Sequence, residues 1–268
     1  MDLRKTLEKV RGAVAEAGAE ILRIYSDPDR FDTRHKEDHS PLTAADVAAN
    51  KLLVARLREL TPAIPILSEE SKQAPWHDRK HWEQCWVVDP LDGTKEFLKR
   101  NDEFTVNVAL VRDHKPILGV VFAPALQKWY FAARHEGAWR QIGGGVMDRL
   151  HVAEKPADRP WKVVGSRSHG TPEVDAFVAR LGEAEMVAMG SSLKLCLVAD
   201  GSADVYPRLG PTSEWDTCAA QAVVEEAGGQ VLDAETGEPL RYNARESVLN
   251  PHFIVCARPD PAWFEKKS

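Results

Sequence analysis

The chain has 268 residues, 43% hydrophobic and 28% charged, with 17 glycines and 17 prolines, a balance that excludes disordered, collagen-like and disulfide-scaffold proteins. Its 35 basic and 41 acidic side chains leave a net charge of −6. That excludes a general binder of nucleic acid, whose affinity rests on basic side chains neutralising phosphates, but leaves room for a small anionic substrate held by local positive charge or a bound metal. The length suits one domain or two closely joined lobes. No signal-peptide pattern opens the sequence, and the longest nearly apolar stretch, Leu118 to Leu126, is about half the span a bilayer needs, so no transmembrane helix is expected. Cys85, Cys196, Cys218 and Cys256 form no CxxC pair and read as free thiols in a reducing cytoplasm.

In chain order, Leu3, Leu7, Val10, Val14, Ile21 and Tyr25 recur at helical steps and predict an amphipathic helix over 3–25. The charged segment KEDHSP follows, then a second helical pattern through Leu53, Leu57 and Leu60. A short apolar run, Ile64 to Leu67, ends in Ser68-Glu69-Glu70-Ser71, and Cys85-Trp86-Val87-Val88 reads as a buried strand stopping at Asp89-Pro90. FTVNVALV, PILGVVFAP and KWYFAAR predict successive strands. Gly143 to Gly145 and the charged stretch 154–159 read as a seam, dividing an N-terminal α+β lobe (1–145) from a C-terminal α/β lobe (146–268). Beyond it, a strand in WKVVGS, a helix near 172–181, a strand at 186–188, a helix at 191–200, a strand at 204–206 and a helix at 215–227 give a mixed α and β class.

The informative segment is WVVDPLDGTKEF, residues 86–97. Residues three apart on a strand face opposite ways, but Pro90 cannot donate to a ladder and is expected to end the strand. Asp89 and Asp92 can then curl toward one point with the Leu91 carbonyl free, offering the hard oxygen donors that Mg²⁺ prefers. An ordinary Asp-Gly turn is the structural alternative. The D-x-D-G-T pattern of aspartyl-nucleophile phosphatases does not match, because these carboxylates are three apart. Glu69 and Glu70 sit at a strand end, or form a solvated acidic turn. Asp216 opens a helix, where an acid favours the dipole in any case, and Asp46, three residues after Thr43, completes a capping-box variant. All these acids lie at element ends, where a site can be assembled.

Five segments, DHSPLTAAD, PILSEES, WVVDPLDGTKEF, GSSLKLCLVADGSADVYPRLGP and SEWDTCAAQAVVEEAGG, resemble the lithium-sensitive, magnesium-dependent phosphomonoesterases related to inositol monophosphatase, in order and across essentially the whole chain. Within that family, DGTKEF and YPRLGPTSEWD are similar to the bisphosphate nucleotidase branch. The resemblance implies an α+β fold, layered α-β-α-β-α, and hydrolysis of the 3′-phosphate of adenosine 3′,5′-bisphosphate to AMP, with action also on 3′-phosphoadenylyl sulfate, in sulfur metabolism. It implies that Glu69, Asp89, the Leu91 carbonyl, Asp92 and Asp216 hold two or three Mg²⁺ ions. It makes Thr94 and Asp46 the pair that orients the attacking water, with Glu70 near a metal-bound water. The scissile phosphate falls over Gly93 and Thr94, and Ser191, Lys194 and Arg208 match nucleotide contacts; Glu69, Leu91, Asp92 and Asp216 border the substrate as well. Cys218-Ala219-Ala220-Gln221 departs from the alanine-alanine-glycine common in relatives. A cytoplasmic location follows, with peripheral association with the inner membrane known among relatives, and monomer and homodimer both remain open.

Phosphate monoesters resist hydrolysis because their charge repels a nucleophile and the alkoxide leaves poorly, problems that a two-metal site addresses together. Converging carboxylates without cations raise one another's pKa values. At the second phosphate, Ser191 at a helix start is expected to offer backbone donors, and Lys194 and Arg208 charge; a solvated position is the alternative for Lys194. Two other readings stand beside this one: an inositol monophosphatase or broader sugar phosphatase, and a catalytically dead nucleotide- or metal-binding protein. Against the last, Glu69, Asp89, Asp92, Asp216, Thr94 and Asp46 are all present.

Overall fold

A computed structural model describes residues 1–27, 34–35, 41–155, 158–165 and 171–264. Helix α1 (Leu3–Tyr25) starts on Asp2, whose carboxylate accepts the Lys5 N–H at 3.0 Å. Strands β1 (Arg34–His35) and β2 (Pro41–Leu42) pair antiparallel, and residues 36–40 of the charged segment between them lie outside the described residues. Helix α2 (Ala44–Leu60) follows the Thr43 cap. Next come β3 (Ile66–Ser68), α3 (Trp76–Arg79), β4 (Gln84–Asp92) and α4 (Thr94–Lys99). The strands β5 (Thr105–Arg112), β6 (Lys115–Ala123), β7 (Lys128–Ala133), β8 (Gly137–Ile142) and β9 (Met147–Arg149) then run as an antiparallel meander. Together β3 to β9 make a seven-stranded sheet in sequence order, with β3 parallel to β4.

The rest of the chain builds a five-stranded sheet from β10 (Trp161–Gly165), β11 (Ala184–Ala188), β12 (Val205–Arg208), β13 (Gln230–Asp233) and β14 (Phe253–Cys256). Its order is β11-β10-β12-β14-β13. Helices α5 (Pro172–Leu181), α6 (Leu193–Ala199) and α7 (Glu214–Glu226) connect these strands.

Alternation along the strands sets the layers. On β5, Val106, Val108 and Leu110 join a core with Val10, Val14 and Ile21 of α1 and Leu53 and Leu57 of α2, while Ala109 and Val111 join a second core with Cys196 of α6 and Cys218, Val223 and Val224 of α7. That second core also takes in Tyr206, Phe253 and Val255 of the smaller sheet, whose far face packs Val163, Val205 and Ile254 against Phe177 of α5. The layers run α1/α2, seven-stranded sheet, α6/α7, five-stranded sheet, α5: the α-β-α-β-α arrangement expected. Because α7 lies between two sheets it is buried almost all round, including Trp215, Ala219, Ala220 and Ala222. Gly119 permits this, since a Cβ there would lie 2.1 Å from the Ala219 carbonyl oxygen.

Three features differ from the sequence reading. The glycines at 143–145 turn the β8–β9 hairpin inside the larger sheet, the Gly143 N–H donating to the Gln127 carbonyl at 2.7 Å, and the chain leaves that sheet only after Arg149. Strands β13 and β14, four residues each, were too short to show a period, yet β14 sits between β12 and β13 and is fully buried. The third difference, in β4, decides the geometry of the site.

Candidate active site

Strand β4 does not stop at Pro90. It continues to Asp92, and its ladder with β5 pairs Asp89 with Asn107 and then Asp92 with Thr105, so three steps on β4 meet two on β5. The extra residue is a β-bulge, a place where a sheet tolerates a proline. Its consequence is a change of parity: Trp86 and Val88 face the α1/α2 core and so does Leu91, whereas Cys85 and Val87 face α7. Asp89 and Asp92 therefore share the α7 face despite their odd spacing. The expected convergence holds; its cause is an inserted residue rather than a terminated strand.

From across the layer, α7 brings Asp216, and ligand oxygens of Asp89, Asp92 and Asp216 all lie within 4.8 Å of one another. Glu69 follows β3, its N–H donating to the Val88 carbonyl at 3.2 Å, and its charge acts on the Asp89 carboxyl. Burial, then the charges of Glu69, Asp92 and Asp216, push the Asp89 carboxyl well above the ordinary range. Burial and Asp92 push Asp216 up to about 8. Burial also raises Asp92 to about 6, against the pull of Lys194 and of the Ser192 N–H. These acids are held together at a cost that a cation would offset, and every donor, the Leu91 carbonyl included, is a hard oxygen. The residues fit a divalent metal.

The carboxylate and the hydroxyl expected to pair from far apart in the sequence also meet. At the start of α2, Asp46 Oδ2 accepts the Thr43 N–H at 2.7 Å and the Thr43 hydroxyl at 2.5 Å, while Oδ1 accepts the Thr94 hydroxyl at 3.4 Å. Thr94 opens α4 after Gly93, which adopts φ 89°, a conformation glycine takes without strain. The Thr94 hydroxyl also lies 3.4 Å from the Leu91 carbonyl oxygen. Glu70 directly follows Glu69, and its carbonyl accepts the Asn50 side-chain N–H at 3.1 Å.

On the other rim, Ser191 sits in the left-handed region at φ 45°, and its buried hydroxyl has no hydrogen-bond partner among the described residues. Helix α6 begins at Leu193, not at Ser191, and the Ser192 N–H donates to Asp92 Oδ2 at 2.6 Å. One of the backbone donors beside Ser191, that of Ser192, is thus committed to a carboxylate. Lys194 is half-buried rather than solvated, and Asp92, Glu96, Asp216 and Arg208 all act on its ammonium. Arg208 donates through Nη2 to the Pro211 carbonyl at 2.7 Å, while its buried Nε has no partner among the described residues. Ser191 and Arg208 thereby present unpaired donors on the rim where Lys194 supplies charge.

Sequence reasoning missed the side chains behind this rim. Ser192 Oγ donates to Asn107 Oδ1 at 2.8 Å and lies 2.9 Å from the Thr105 hydroxyl, tying α6 to the two residues that face the bulge. Asn50 joins Ser68, at 2.8 Å, to the Glu70 carbonyl. A signal for Asn50 existed, one helical turn after Asp46; none existed for Asn107, whose importance depends on β5 register.

Comparison with known proteins accords with this geometry. The chain matches the inositol monophosphatase family over residues 2–262. A 3′(2′),5′-bisphosphate nucleotidase CysQ of Salmonella typhimurium is 49% identical over 249 residues, covering 93% of this chain and 98% of the relative. CysQ of Buchnera aphidicola is 40% identical over 256 residues, covering 95% and 94%. The crystal structure of CysQ from Bacteroides thetaiotaomicron matches at TM-score 0.85 and 44% identity, covering 96% of this chain and 99% of that one. In sequence and in fold, the chain belongs to the inositol monophosphatase family.

Proposed function

We propose that this protein is a Mg²⁺-dependent 3′(2′),5′-bisphosphate nucleotidase that hydrolyses the 3′-phosphate of adenosine 3′,5′-bisphosphate to give AMP and phosphate, with 3′-phosphoadenylyl sulfate as a second substrate. One observation carries the reading: three carboxylates lie within 4.8 Å of one another, the Asp46–Thr94 pair forms at the turn that follows them, and the positive charges of Lys194 and Arg208 act on Asp92 and Asp216. The resemblance to CysQ proteins supports the choice of substrate. The buried free thiols support a reducing, cytoplasmic setting.

Glu69, Asp89, Asp92, Asp216 and the Leu91 carbonyl would hold two or three Mg²⁺ ions. Bound there, the ions supply a lowered pKa for the attacking water and positive charge for the departing oxygen. The protein's own part is to orient and to bind. The Thr94 hydroxyl donates to Asp46, which leaves its lone pairs to accept a proton of the water and so fixes the direction of attack. Asp46 stays in place because its other oxygen is held by the Thr43 cap. Glu70 stands next to the metal ligands to receive a hydrogen bond from a water. Gly93 leaves room for a phosphate at the turn, since a Cβ there would already lie 3.3 Å from that of Ser191. The unpaired Ser191 hydroxyl and Arg208 Nε, with the Lys194 ammonium, are suited to the second phosphate. Water as nucleophile requires no covalent enzyme intermediate.

The test is phosphate release from adenosine 3′,5′-bisphosphate and from inositol 1-phosphate, side by side, with Mg²⁺ and with EDTA. Mg²⁺-dependent release strongly favouring the nucleotide is expected. Preference for the inositol phosphate would overturn the substrate, and undiminished release in EDTA would overturn the metal.

A further inference from the structure

Beside the acidic cluster lies a second set of buried charges with no part in the chemistry above. Arg79, at the end of α3, is 3% exposed, Glu214, the first residue of α7, is 0% exposed, and Asn243 between them is 1% exposed. Burying a charge is costly unless it is paired and hydrogen-bonded, so each demands a partner. Arg79 Nη1 donates to Asn243 Oδ1 at 2.8 Å and to the Arg245 carbonyl at 3.0 Å, and Nη2 donates to the Glu246 carbonyl. Asn243 returns a bond through Nδ2 to the Arg79 carbonyl at 2.7 Å and gives its own N–H to Glu214 Oε2 at 2.7 Å. It holds this position at φ 48°, a left-handed conformation that asparagine tolerates better than most residues. The second oxygen of Glu214 is buried without a hydrogen-bond partner among the described residues, although the charges of Arg79 and Arg245 act on it.

The two ends of this chain of bonds give it meaning. Arg79 belongs to the β3–β4 connection, which begins with Glu69 and Glu70, and Glu214 lies two residues before Asp216. Asp216 faces Asp89 and Asp92, with ligand oxygens within 4.8 Å, so like-charge repulsion acts to push the first turn of α7 away from the sheet. Local bonds resist: the Glu214 N–H donates to the Val248 carbonyl at 2.8 Å, and Asn250 Nδ2 donates to the Ser213 carbonyl at 2.7 Å. Those bonds reach only the neighbouring 247–250 segment. The Arg79–Asn243–Glu214 chain reaches the β3–β4 connection itself.

We infer that Arg79, Asn243 and Glu214 are positioning residues that hold the first turn of α7, and with it Asp216, at metal-binding distance from the acids of the larger sheet. The inference rests on the reading of Asp216 as a metal ligand. Outer residues that orient ligands typically change metal affinity 10–100-fold when altered, and the rigid fork of Arg79 makes even lysine a poor replacement.

The experiment is calorimetric titration of metal-free protein with Mg²⁺ alone, together with the thermal midpoint of each metal-free sample. Glu214→Leu, which removes the acceptor of the Asn243 N–H, and Arg79→Lys are each expected to raise the Mg²⁺ dissociation constant about 10–100-fold. Gln221→Leu provides the comparison, because Gln221 sits in a buried polar network two turns along the same helix, bonded to Tyr242, Leu240 and Glu225. It should lower the thermal midpoint yet leave the Mg²⁺ dissociation constant within about twofold, well inside that 10–100-fold range. Unchanged Mg²⁺ affinity in folded Glu214→Leu and Arg79→Lys would overturn the inference, as would an equal loss in Gln221→Leu. If unaltered protein takes up no Mg²⁺, or Asp89→Asn takes it up as well as unaltered protein does, the metal reading itself fails.

Discussion

Helices α2 and α7 begin alike and end up with different tasks. Each opens on a hydroxyl residue followed three places later by aspartate, Thr43 to Asp46 and Ser213 to Asp216. In each the cap N–H donates to that aspartate, at 2.7 and 2.8 Å. At α2 the Thr43 hydroxyl adds a bond, and the other carboxylate oxygen meets a neutral hydroxyl, that of Thr94. At α7 the aspartate lies among carboxylates, and burial with the charge of Asp92 pushes it up to about 8. In the proposed reading, one local motif thus serves as a rest for a proton-accepting pair at one end of the site and as a metal ligand under repulsion at the other. A structural explanation for a residue does not displace a functional one; what lies across the layer decides which is added.

The largest break in this comparison is Asp216→Asn. An amide oxygen still accepts the Ser213 N–H, so the thermal midpoint of metal-free protein should not fall, while Mg²⁺-dependent turnover and Mg²⁺ binding are lost. Retained turnover in folded protein would remove Asp216 from the metal site. Asp46→Asn should instead cost about 10²- to 10⁴-fold in turnover with Mg²⁺ binding kept, and an equal loss of metal affinity would erase the difference between the two helix starts.

A third test uses pH. Asp92 and Asp216 have folded pKa values raised to about 6 and about 8 from 3.8, so through that window the folded state binds more protons than the unfolded one. Stability of metal-free protein must then fall as pH rises from about 4 through about 8. Thermal midpoints should decline over that range, and the gain from added Mg²⁺ should be greatest at its alkaline end. A shallower fall in Asp216→Asn than in unaltered protein would locate part of the effect at that residue, the remainder belonging to Asp92 and Asp89. Smallest of all, Thr43→Ala should cost about 1 kcal/mol by denaturant unfolding. Ser213→Ala should cost less, because the bond to Asp216 comes from the backbone N–H that alanine keeps; equal losses would mean the two caps are built alike.

Much of the molecule was legible because its signals are local. The 3.6-residue recurrence of Leu7, Val10, Val14 and Ile21 predicted α1, which turns one apolar face to a core, and the pattern in Phe104 to Val111 predicted β5, whose two faces enter two cores. The acids at element ends were visible too. Short, wholly buried strands such as β14 carried no period, and Gly143 to Gly145 punctuated a hairpin where a seam was expected.

By itself, then, the sequence determined which side chains could act, the oxygen donors among them, and most of the helices and strands that carry them, because composition, period and capping are properties of neighbouring residues. Only the tertiary structure decided how these groups meet. The β4 bulge turns Asp89 and Asp92 to one face through register with β5, the Ser192 N–H is taken by Asp92, and Arg79 reaches Glu214 through Asn243. Each of these depends on which segments lie opposite one another after folding, and long-range register leaves no mark in the local pattern.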